Sequence, residues 1–186
     1  MALKVNKITV GGIGSVLLGD DGVGPLVAGM LDANYLFSDN VTIADLGTPG
    51  LDLVAHLSGI DAAILIDSVK NEAEPGTVTL YRREEILRHG PAPVRVDPHS
   101  PALSESLLIA DLTGQGPKEI LLIGITGQQY EIGAEPSEVV RRAADIAVRQ
   151  VLAELERLGA TYSEREGQEF SPWWTSTGEN PVPVLL

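Results

Sequence analysis

Apolar residues recur along this chain in two patterns, short unbroken runs rich in Val and Ile and longer stretches with a period between three and four. The first run, residues 4–10, is β-branched and reads as a strand that ends in a glycine turn. After the turn, Val23, Leu26, Val27, Met30 and Leu31 share one helical face, and Pro25 suits a first helical turn, where its missing N–H breaks no bond. Residues 41–44 predict a short strand ending in Asp45, and Leu-Gly-Thr-Pro-Gly at 46–50 turns the chain into a helical patch over 51–57. Residues 62–66 are apolar throughout and lie between Asp61 and Asp67, as expected of a strand buried on both faces of a parallel sheet.

Pro75 and Gly76 mark a turn, and 77–81 reads as the next strand. Its link from Asp67 is too short for a helical crossover, so an antiparallel, hairpin-like strand is expected. Residues 84–89 are charged and short, and 90–101 hold four prolines, which predicts an ordered loop carrying His99. Ser100 and Pro101 resemble the N-cap and first residue of a helix that continues through Leu103, Leu107, Leu108 and Leu112. Residues 120–125 form another buried strand. Pro136 and Ser137 then open a long helix in which Val140, Ala144, Ala147, Val151, Leu155 and Leu158 share a face, with Gly159 as its stop.

This order predicts a three-layer α/β/α sandwich over residues 1–159, its mostly parallel sheet carrying one antiparallel strand. Residues 160–186 lose the periodicity, become acidic and then proline-rich, and read as a tail containing Trp173 and Trp174. Two adjacent tryptophans there could dock on the domain, on a second copy or on a partner.

Composition narrows the picture. The length, 186 residues, suits one domain, and 26 acidic against 13 basic residues give a net charge of −13. That balance is a poor match to nucleic acid or an anionic membrane, and neither is expected as a partner. The absence of cysteine excludes a disulfide framework, a thiolate zinc site, an iron–sulfur cluster and a cysteine nucleophile, so any metal must use oxygen and imidazole. With no apolar signal core and no run long enough to span a bilayer, a cytoplasmic protein is expected.

The glycine turn first suggests a nucleotide, since such turns cradle phosphate at a helix N-terminus. Gly12 and Gly14 match the start of the dinucleotide fingerprint, but Leu17 stands where its third glycine belongs, and no Lys-Ser or Lys-Thr pair follows. Asp20 and Asp21 would moreover repel a polyanion, so a cation suits this mouth better. In parallel α/β sheets, sites form beyond the carboxyl ends of the strands. Asp21 follows the first strand, Asp45 ends the second and Asp67 the third, which brings three acids to one edge.

Each acid alone could be a cap, a turn former or an acceptor for backbone N–H groups. Two carboxylates ~6 Å apart, however, repel by about 3 kcal/mol at an effective dielectric of ~20, so a cluster should hold a proton or receive a cation. His99 adds an imidazole, and carboxylates plus imidazole suit nickel, zinc, iron or manganese. His56 and His89 read as ordinary helix and surface residues.

Gly12-Ile-Gly14 with Gly19-Asp-Asp-Gly-Val-Gly24, Asp45-Leu-Gly-Thr-Pro-Gly50, Ile64-Leu-Ile-Asp67, and His99 followed by Leu103 resemble the motifs of the hydrogenase maturation endopeptidases. That family trims the C-terminal extension from the large subunit of [NiFe] hydrogenases, and the motifs occur in its order over residues 4–159. The resemblance implies a cytoplasmic processing protease with an α/β/α fold that acts on the large-subunit precursor. It implies that Asp21, Asp67 and His99 bind metal, understood as nickel already inserted in the precursor, and that Asp45 serves activity or specificity. Asp21 replaces a Glu common in the family, Ser15 replaces an Asn, and the tail after Gly159 exceeds the usual ending. No serine sits in a Gly-x-Ser-x-Gly elbow. The alternatives are an aspartic-type hydrolase in which Asp21 and Asp67 share a proton, a non-catalytic checkpoint module that binds the precursor, and a nucleotide-binding enzyme.

Overall fold

The computed structural model describes residues 5–88, 100–166, 170 and 172. Its elements run β1 (Ile8–Ile13), a 3₁₀ turn (Gly19–Gly22), α1 (Val23–Asn34), β2 (Tyr35–Phe37), β3 (Val41–Gly47), a second 3₁₀ turn (Gly50–Asp52), α2 (Leu53–Leu57) and β4 (Ala62–Val69). They continue with β5 (Val78–Arg82), α3 (Arg83–Arg88), α4 (Ser100–Leu112), β6 (Glu119–Thr126), α5 (Glu138–Arg157) and β7 (Tyr162–Glu164).

Five strands form the main sheet in the order β3-β1-β4-β6-β5, with the first four parallel and β5 antiparallel to β6. The antiparallel strand is thus where the short link required it, but its partner differs from a hairpin. β5 passes to the sheet edge and leaves the place beside β4 to β6, which keeps β4 central and buried at every position. Along β4 the pleat alternates between two cores. Ile64 and Ile66 join α1 and α5 on one side, while Ala63 and Leu65 join residues of α2, α3 and α4 on the other. These two helical layers around the sheet are the predicted three-layer sandwich.

Several boundaries move. β1 begins and ends later than its β-branched run, β3 continues past Asp45, and β4 continues past Asp67 to Val69. Asp45 and Asp67 are therefore strand residues rather than strand ends. In α4, Leu103, Leu107 and Ala110 face the core, whereas Leu108 is half-exposed and Leu112 is 87% exposed. At about 3.6 residues per turn, nine residues from Leu103 bring Leu112 to the opposite side of the helix. The inward face of α5 is as its spacing predicts, with Val140, Ala144, Ala147, Val151 and Leu155 all buried.

Beyond Gly159 the chain still contributes structure. β7 pairs antiparallel with β2, and Tyr162 packs edge-on against Tyr35 with ring centroids 5.7 Å apart. Phe170 also packs against the core on the α1 side. His89, His99, Trp173 and Trp174 lie outside the described residues. Among the described residues no helix is long and apolar enough to cross a membrane.

Candidate active site

The glycine turn folds around Asp21. At Gly14 the backbone takes a φ of +129°, and a Cβ there would run into the carbonyl oxygen of Asp21, so the chain can double back only through glycine. The returning 3₁₀ turn buries Asp21 completely, and its Oδ2 accepts a hydrogen bond of 2.7 Å from the Ser15 backbone N–H. This turn also touches the end of β4, the strand that carries Asp67.

Asp67 is 6% exposed and lies opposite Gly124 of β6. It shares the pleat phase of Ala63 and Leu65, which face the layer containing α4. His99 is the residue immediately before α4, so the expected third ligand precedes the helix that covers the Asp67 side of the sheet. Among the described residues no group of three His, Cys, Asp or Glu side chains is arranged to hold a metal ion. Two members of the expected set, Asp21 and Asp67, stand within the described part as buried carboxylates on adjoining elements. Their oxygen donors fit a hard or borderline divalent cation.

Asp45 stands apart from this pair. The strand order β3-β1-β4 puts all three acids at one edge, but Asp45 is opposite Gly12, which is opposite Ile66. It therefore follows the pleat phase of the α1 side, is exposed, and accepts 2.9 Å from the Gly47 N–H at Oδ1. His56 is exposed on α2.

One further acid at the site, which the sequence marks only as a charge that would repel a polyanion, is Asp20. Asp20 is fully buried, and its carboxylate accepts bonds from the backbone N–H groups of Gln128 (2.8 Å), Gln129 (3.0 Å) and Ser137 (2.5 Å) and from Ser137 Oγ (3.1 Å). Those partners follow it by 108 to 117 residues, a relation that no local spacing encodes. Nearby, the Ser68 and Tyr130 hydroxyls are 2.9 Å apart, and Lys70 Nζ lies 4.2 Å from the Tyr130 ring centroid.

An α/β/α domain whose glycine turn encloses an acid rather than presenting amides to phosphate argues against a nucleotide site, and comparison with known proteins defines the class as peptidase. The family model described as hydrogenase maturation protease matches residues 25–154. The chain belongs to the hydrogenase maturation protease family. It is 34% identical over 162 residues to the hydrogenase expression/formation protein HoxM of Azotobacter vinelandii, covering 87% of this chain and 78% of that protein. It is 32% identical over 165 residues to the hydrogenase 2 maturation protease of Escherichia coli, covering 86% and 97%. The solved structure of the E. coli hydrogenase-maturating endopeptidase HybD superposes with a TM-score of 0.80 at 29% identity, over 86% of this chain and 98% of that one.

Proposed function

We propose that this peptidase removes the C-terminal extension from a [NiFe] hydrogenase large-subunit precursor in the cytoplasm, once nickel has been inserted. The observation that carries this reading is the pair of buried carboxylates, Asp21 and Asp67, on adjoining elements at the carboxyl edge of the sheet. Nickel is part of the substrate. Asp21, Asp67 and His99 hold it, and the grip places the attached precursor chain in one register against the protein, which lowers the entropic cost of reaching the cleavage geometry. Bound nickel supplies Lewis-acid polarisation to an oxygen beside it.

Asp45, exposed on β3 at the same edge with β1 between it and β4, takes a proton from an attacking water or orients the extension. Cleavage adds one water across one peptide bond, leaving a new C-terminal carboxylate on the large subunit and releasing the extension with a new amino terminus. The test is to incubate the protein with nickel-loaded and nickel-free precursor and follow loss of the extension by electrophoresis. Cleavage confined to the loaded form is the expected result. Equal cleavage of the nickel-free form in the presence of a chelator would contradict it and favour a metal-independent aspartic mechanism.

A further inference from the structure

Asp20 and Asp21 are adjacent and equally buried, yet their carboxylates are engaged in opposite directions. Asp21 turns back to Ser15 within its own turn, while Asp20 reaches into the β6–α5 connection, residues 127–137. Backbone bonds reinforce that second link: Gly133 N–H donates to Leu17 O at 2.8 Å, Gly19 N–H to Ala134 O at 3.1 Å, and Asp20 N–H to Gln129 O at 2.9 Å. β1 and β6 are not neighbours in the sheet, because β4 lies between them. The contacts therefore bridge the loops on either side of the strand that carries Asp67.

The bridge is also tied to β4 itself through the Tyr130 and Ser68 hydroxyls. Among the exposed polar residues Gln128, Glu131 and Glu135, its outer surface also presents two large apolar side chains, Leu17 63% and Ile132 87% exposed, on the two loops joined by the Gly133–Leu17 bond. A buried carboxylate is costly unless its oxygens are satisfied, and here three backbone amides and a hydroxyl satisfy them. Placing such a group at this point fixes the connection far more tightly than a surface loop requires.

We propose that Asp20 is a positioning residue: it locks residues 127–137 beside the turn that carries Asp21, as a surface that contacts the precursor polypeptide, with Leu17 and Ile132 supplying apolar contact. The proposal rests on the maturation reading above. Because Asp21 keeps its own anchor at Ser15, loss of the Asp20 clamp weakens substrate docking and leaves the turnover of bound substrate nearly intact.

The test is steady-state processing of nickel-loaded precursor by Asp20→Asn and by Ile132→Ser, the second lying on the exposed surface where it cannot disturb the core. Asp20→Asn replaces one acceptor with an amide that faces N–H donors. We expect KM to rise about tenfold with kcat within about threefold of wild type, and Ile132→Ser to raise KM about threefold. In hydrogen exchange, the amides of Gln128, Gln129 and Ser137 should exchange faster in Asp20→Asn, while β4 and β6 keep their protection. A purely structural role would lower the active fraction and hence the apparent kcat at constant KM, and that result would overturn the proposal. So would an unchanged KM in Ile132→Ser and Leu17→Ser. Failure of the wild type to cut loaded precursor would overturn the maturation reading and this proposal with it.

Discussion

Gly24 lies so close to Ile66 that a Cβ at position 24 would stand 2.6 Å from the Ile66 carbonyl oxygen. The start of α1 is thereby pressed onto the residue that precedes Asp67, and the buried turn carrying Asp21 is held over the same strand end. The other atoms that the missing Cβ would meet are the backbone N and O of Ile13 in β1, and backbone cannot swing away. Gly24→Ala should therefore destabilise the fold by about 3 kcal/mol despite alanine's better helix propensity. Urea unfolding checks this, and an unchanged midpoint would show that the helix can retreat from β4 at no cost.

A second prediction concerns the opposite, amino end of the sheet. Glu154 on α5 is 5% exposed and is gripped by Arg82 at 2.5 and 2.8 Å and by Arg157 at 2.8 and 3.0 Å, with Glu119 holding Arg157 at 2.6 Å. Burial pushes the Glu154 carboxyl up, but hydrogen bonds and charge from the two guanidiniums outweigh it and hold the carboxyl below its ordinary value of 4.5. A depressed folded-state pKa stabilises the protein above the ordinary value, and that contribution is lost as pH falls through the folded value. Glu154→Gln should cost about 2 kcal/mol near neutral pH, less than a wholly buried pair because both arginines are half-exposed. Thermal melts should show the gap between variant and wild type narrowing below about pH 4.5. A gap independent of pH would mean that the network contributes through packing alone.

Asp67 illustrates what the sequence makes legible. The apolar run at 62–66 identified β4 and put an acid at its carboxyl end, because a strand buried on both faces has no other composition. The strand nevertheless extends further, since Ser68 is buried against Tyr130 and Val69 is buried too. In α4 a run of leucines suggested a wider inner face than the helix turns inward. β2 and β7 are three residues each, and their pairing joins segments more than a hundred positions apart, so neither length nor local pattern announces them. The same distance hid the hydrogen bonds of Asp20, whose partners lie in the β6–α5 connection. The turn that encloses Asp21 was legible because its glycines are local.

Phe170 lies against Gly29 of α1, where a Cβ would come within 2.5 and 2.6 Å of the ring. Here the neighbour is the far end of a side chain, so Gly29→Ala should displace the ring rather than break the helix. Gained helix propensity of about 1 kcal/mol would offset the lost contact, leaving the melting temperature nearly unchanged. Thermal melts followed by circular dichroism check this, and a fall of several degrees would show that α1 cannot take the added methyl without losing more than the Phe170 contact.

Asp45 accepts its bond from Gly47 on an exposed strand position, so Asp45→Asn should change stability by no more than about 0.5 kcal/mol. Its effect should appear in processing, as a fall of about ten- to a hundredfold in rate if the carboxylate handles a proton. Chemical denaturation and single-turnover processing separate the two. A wild-type rate would remove Asp45 from the chemistry.

In the proposed function, buried Asp21 and Asp67 govern cleavage of a nickel-loaded precursor. Intact-mass spectrometry of that precursor, incubated with the wild-type protein and with Asp21→Ala, Asp67→Ala and His99→Ala, tests it most directly. The expected result is two product masses that sum to the precursor plus one water for the wild type, and an uncut precursor for each variant that remains folded. Cleavage by a folded Asp21→Ala or Asp67→Ala variant at the wild-type rate would contradict it.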